Sequence, residues 1–117
     1  LAKKTKAVVE KRLLDKEEVL NGLRCASNCF EQWVQKNDLF KPEFETSQRI
    51  NKALEEAVPL TKSAVIEILQ SFNDIQKVKH ADGIGWIDYG FRLCHYLRLN
   101  GFITKFEDKN LRLEEPL

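Results

Sequence analysis

The chain has 117 residues, 43% apolar and 32% charged, which is one domain's worth of sequence with enough apolar surface for one core. That composition excludes general disorder, and a net charge of +1 excludes the overall basicity of a dedicated nucleic-acid binder. No apolar run approaches the roughly 18 residues of a membrane span and no signal peptide is visible, so the expectation is a soluble domain with no membrane partner.

Three cysteines cannot close into a disulfide framework, and reduced thiols point to an intracellular, reducing compartment. The chain begins with Leu and contains no Met, which predicts a piece of a longer protein. In chain order, residues 1–14 carry five cations, Lys3, Lys4, Lys6, Lys11 and Arg12, against Glu10. They read as a basic arm or solvated helix, set apart from a single domain over 15–117.

Asp15 and Glu18 have the spacing of a capping box, with Leu14 and Val19 as its hydrophobic staple. They predict a helix over 16–36 that places Val19, Leu20, Leu23, Ala26, Phe30, Trp33 and Val34 on one arc. Residues 37–45 read as a connection broken by Pro42, with Phe40 and Phe44 pinned to the core. A helix over 47–58 presents Ile50, Ala53, Leu54 and Ala57, and Pro59 stops it. Thr61 caps the next helix, which buries Val65, Ile68, Leu69 and Phe72, with Leu60 and Val65 as a second staple pair.

Residues 73–85 are mixed and polar. A helix over 86–99 follows and is closed by Asn100-Gly101. Phe102, Thr104 and Phe106 then alternate with Ile103, Lys105 and Glu107. A turn at 108–110 leads to Leu111 and Leu113, which alternate with Arg112 and Glu114 until Pro116 ends the strand. The fold class expected is mainly α, with a C-terminal β-hairpin and extra N-terminal helices.

Helices ending in Leu-Asn-Gly-Phe and then a short hairpin resemble the ground plan of the winged-helix family. The resemblance makes 86–99 the recognition helix and the hairpin the wing. A second likeness lies upstream. Residues 20–33, LNGLRCASNCFEQW, resemble a lid helix of AAA+ ATPases of the origin-recognition type. Residues 47–72, SQRINKALEEAVPLTKSAVIEILQSF, resemble the start of the winged helix that follows such a lid. They are similar to the large-subunit family of the origin recognition complex and its paralogues among the yeast silent information regulators. That resemblance implies a nuclear setting tied to chromatin, with DNA or protein partners. The stretch between Phe72 and Trp86 departs from the pattern, leaving little room for the usual extra strand and helix.

On the helix 86–99, Asp88, Arg92 and His95 make a narrow polar strip, whereas a major-groove helix needs a broad face of donors. From residue 61 to 117 eight acids balance eight bases, so phosphate neutralisation has little surplus there. The apolar arc of that helix is wider than one core contact needs. Trp86 and Tyr89 at its edge, with Leu111 and Leu113 on an unpaired strand edge, are therefore candidate anchors for a protein partner, most simply a second copy in a homodimer.

The rival reading is DNA binding through Arg92, His95, Arg98, Lys105 and Lys109, helped by Lys3, Lys4 and Lys6. An enzyme accessory domain or a structural helical cap is a third reading. Cys25 and Cys29, on the shoulder of an apolar face, and Cys94 are expected to be small buried thiols rather than zinc ligands. Cys94 and His95 are sequence neighbours about 100° apart on a helix, so they cannot share a proton. No Gly-rich phosphate loop exists. No catalysis, metal or cofactor is expected.

Overall fold

The computed structural model describes residues 2–36, 40–57, 59–76, 83–107 and 110–116, with side chains at 2–15, 76, 83–84 and 115–116 excepted. Four helices are followed by one antiparallel hairpin: α1 Ala2–Lys36, α2 Lys41–Glu56, α3 Lys62–Gln76, α4 Gly83–Leu99, β1 Phe102–Glu107 and β2 Asn110–Pro116. This is the expected mainly helical class with a C-terminal wing-like hairpin. Residues 77–82, between α3 and α4, lie outside the described residues.

Helix α1 is longer than the capping signal predicted. Residues 2–14 are mostly good helix formers, with neither Pro nor Gly, so the helix runs through them. Asp15 lies inside the helix, where it cannot adopt the non-helical backbone of an N-cap, so the helix does not start there. At about 1.5 Å per residue, 35 residues match the 53 Å long dimension of the molecule.

Pro42 also plays the opposite role to the expected one. It sits in the first turn of α2, where its missing N–H is one of the donors that no helix start can satisfy internally. Proline thus opens this helix, and Glu43 and Thr46 are buried within it. Phe40 still reaches the body, with its ring centroid 5.4 Å from that of Trp33. Helix α2 ends before Pro59, where the Ala57 N–H donates to the Ala53 carbonyl.

Thr61 caps α3 as expected: its Oγ1 accepts from the Ala64 N–H at 3.2 Å. Val65, Ile68, Leu69 and Phe72 are buried, joined by Ile75 in the last turn. Helix α4 closes on Gly101, whose φ of 91° is the left-handed region that glycine enters without a Cβ penalty. The Asn100 and Gly101 N–H groups donate to the Leu97 and Arg98 carbonyls, and Asn100 Nδ2 donates to the Tyr96 carbonyl.

The hairpin pairs Thr104 with Leu113, Lys105 with Arg112, Phe106 with Leu111 and Glu107 with Asn110, with a register shift between Phe102 and Thr104. Its inner face gives Phe102 and Leu111 to the core, with Phe106 and Leu113 packed against it. Its outer face carries Lys105 opposite Arg112, a like-charge pair relieved diagonally by Lys105–Glu114 at 3.2 Å and Arg112–Glu107 at 2.9 Å.

Asn73 fixes the hairpin to α3. Its Oδ1 accepts from the Leu111 N–H at 2.7 Å and its Nδ2 donates to the Leu111 carbonyl at 2.9 Å. The carboxamide stands in for a third strand at that point. Asn73→Ala is expected to cost about 1–2 kcal/mol, since two backbone groups lose their partner. The Leu111 amide should exchange with deuterium about tenfold faster or more, and an unchanged exchange rate would contradict this role.

Candidate interaction surface

Helix α4 is the centre of the domain, because its residues spaced three and four apart meet all the other layers. Trp86, Tyr89, Leu93, Tyr96 and Leu97 are all buried. Trp86 stacks between two rings: Phe72 at 4.8 Å and 12°, and Tyr89 at 5.1 Å and 11°. Phe30 of α1 closes the side of this column, 5.8 Å from Trp86 and 6.1 Å from Tyr89. Trp86 Nε1 donates to the Phe72 carbonyl at 3.3 Å.

The Tyr89 hydroxyl donates to Asn51 Oδ1 at 2.6 Å, with the Ser47 carbonyl 3.4 Å away. Asn51 Nδ2 in turn donates to the Leu23 carbonyl of α1, so one polar network ties α1, α2 and α4 together. Burial pushes the Tyr89 hydroxyl far above the usual phenol range, which keeps it a neutral donor.

These positions correct the sequence-based choice of partner anchors. Trp86 and Tyr89 are 1% and 0% exposed, because the long α1 and the α2 network cover the arc that looked too wide for one core. Leu111 is buried as well, and the strand edge at its backbone is occupied by Asn73. Leu113 is half-buried, packed against the core.

Two of the residues considered for DNA contact are paired with carboxylates. Arg92 Nε pairs with Asp88 Oδ2 at 3.1 Å one turn away on α4, and Lys105 is paired with Glu114 across the hairpin. His95 and Arg98 are exposed on α4. Lys3, Lys4 and Lys6 lie on the first turns of α1, their side chains outside the described set, and Lys109 lies outside the described residues. Helix α1 also runs beside α4: a Cβ built on Gly22 would stand 3.0 Å from Arg92 Nη1. The exposed face of α4 is therefore a strip bordered by another helix, not a ridge open to a groove.

The cysteines divide differently from expectation. Cys25 and Cys29 are exposed, and only Cys94 is partly covered. The physical reason is helix phase: from the buried row Leu20, Leu23, Ser27 and Phe30, residues 25 and 29 fall on the far side at about 100° per residue. Burial pushes the Cys94 thiol above its ordinary range.

Among the described residues the exposed large apolar side chains are Phe91, 60% exposed, and Ile66, 48% exposed. Phe91 stands where α1, α4 and β1 meet, with its ring 4.7 Å from Phe106. Beside it a shallow pocket of about 350 Å³ has Glu18 and Val19 on the α1 wall and Phe91, Arg92 and His95 on the α4 wall. Ile66 borders a groove of similar size between α3 and β2, with Gln70, Asn73 and Leu113. A larger concavity, about 910 Å³, lies elsewhere, between α1 and α2. It is an open trough of mixed charge crossed by the Arg24–Glu55 pair at 2.7 Å.

Helical phase would have found Phe91, which lies nearly opposite Tyr89 and Leu93 on α4. Counting it into the apolar arc concealed it. Among the described residues no helix is long and apolar enough to cross a membrane. No family model, no curated protein and no solved structure matches the chain.

Proposed function

We propose that this chain is a non-catalytic protein-interaction module that pairs with a second copy of itself across the α1–α4 face centred on Phe91. The observation that carries the reading is the 60% exposure of Phe91, a large aromatic side chain in the position and chemistry of an interface anchor. Its surroundings suit a two-fold contact. Glu18 on the α1 wall and the Arg92 and His95 nitrogens on the α4 wall flank one pocket, so a two-fold contact sets an acceptor of each copy against donors of the other. A net charge of +1 lets identical copies approach without strong repulsion. The resemblance of residues 20–33 and 47–72 to origin-recognition-type proteins supports a place within a nuclear chromatin or replication factor.

Sedimentation at micromolar concentration tests the pairing. The wild-type chain is expected to dimerise, and Phe91→Ala to weaken the dimer at least tenfold, about 2 kcal/mol, while its circular dichroism stays helical. Because Phe91 also touches Phe106, a second pair guards against a folding effect: Glu18→Lys should weaken the dimer and His95→Glu should restore it. A wild-type chain that stays monomeric at high micromolar concentration overturns the reading. Tight binding to one duplex sequence, lost in Arg92→Ala, would replace it with DNA recognition.

A further inference from the structure

Cysteine is among the most consistently buried residue types, yet two of this chain's three cysteines are exposed, and both lie on α1. Residues 25 and 29 are one helical turn apart on the same face, which sets their Cβ atoms about 5–6 Å from each other. A thiolate stands about 2.3 Å from the metal it binds, so two sulfurs on one ion are at most about twice that distance apart. Two C–S bonds leaning together from neighbouring turns can meet that span without disturbing the helix.

The surroundings say which kind of ion. Among the described residues no third His, Cys, Asp or Glu joins the pair as a possible ligand. Structural zinc takes four protein ligands, so one copy offers it half a site. Soft ions favour thiolate sulfur, and those with a low coordination number are satisfied by two. A cleft of about 210 Å³ adjoins both thiols, with Phe30 and Trp33 on its α1 wall and the Asp88–Arg92 ion pair on its α4 wall. The Asp88 carboxylate is held by Arg92 at 3.1 Å, which leaves the two thiols as the soft donors at this cleft.

We propose that Cys25 and Cys29 form a dithiol clip for a soft, thiophilic ion of low coordination number, with monovalent copper as the chemical type. Each thiol gives up its proton as its sulfur bonds the ion, and no electron is transferred. Both ligands lie within one continuous helix, so the clip is preorganised. Cys94, on α4 and partly buried, stays outside it.

The test is an anaerobic competition between the full chain and a chromogenic chelator loaded with monovalent copper. One copper per chain is expected to pass to the wild-type protein. Cys25→Ser and Cys29→Ser should each bind about a hundredfold more weakly, because the second bond no longer forms intramolecularly. Cys94→Ser should bind as the wild type does. Equal affinity in either α1 variant, or loss of binding in Cys94→Ser, overturns the clip. Phe91→Ala keeps the clip separate from self-association: copper retained at one per chain supports a site within one copy, and copper lost with the dimer overturns it.

Discussion

Replacing Trp86 with Ala is expected to remove about 3–5 kcal/mol of stability, a large share of the roughly 5–15 kcal/mol that holds a domain of this size together. The indole is 1% exposed and fills the space between Phe72 and Tyr89. Ala leaves a cavity that flat, stacked rings cannot close, because each is held from its other side. Phe72 is in edge contact with Phe106 at 6.0 Å, and Tyr89 is tied to Asn51. The Phe72 carbonyl also loses the indole N–H. Urea unfolding followed by circular dichroism reads the loss directly, and the remaining tryptophan, Trp33, gives a second probe. A variant that keeps wild-type stability and fails only to self-associate would return Trp86 to the surface.

The elements that were legible in the sequence share one property: their signals were local. Thr61 as a cap, Asn100-Gly101 as a stop and the alternation on both hairpin strands each depend on a few neighbouring residues, and each appears where those residues are. Helix α1 and Pro42 were misread because one local signal was set against a longer stretch that outweighed it. A capping box at Asp15 competes with a run of helix formers before it, and the run wins. A proline breaks a helix only if it has a preceding turn to break, and Lys41 has none.

Chemistry at the candidate surface was less legible, since it depends on which helices pack together. The breadth of the α4 arc was a correct observation with the wrong consequence. Trp86 and Tyr89 are covered by Phe30 and Asn51, residues more than thirty positions away in the chain. Helix phase alone separates Phe91 from that arc, and it also turns Cys25 and Cys29 to the far side of α1. Asn73 carried no sequence signal at all. It lay in a polar stretch, and its role requires the backbone of Leu111 to arrive beside it.

Gly90 yields the second large effect, and its sign runs against helix propensity. In an exposed helix interior, replacing Gly with Ala stabilises by about 1 kcal/mol. Here a Cβ at position 90 would stand 2.6 Å from Phe72 Cζ and press on Phe106 as well, where carbon atoms normally rest about 3.5–4.0 Å apart. Phe72 cannot retreat, since it is fully buried and stacked on Trp86. The strain therefore passes to Phe106 and opens the hairpin away from α4. Gly90→Ala is expected to lose about 1–2 kcal/mol net and Gly90→Val about 3 kcal/mol. Gly22→Ala supplies the contrast on the same scale. Its Cβ would meet only the Arg92 guanidinium at 3.0 Å, the far end of a flexible side chain. That variant should be neutral or slightly more stable. Urea midpoints of the three proteins decide the matter: Gly90→Ala at or above wild-type stability would mean that the close packing of Phe72 and Phe106 against α4 does not exist.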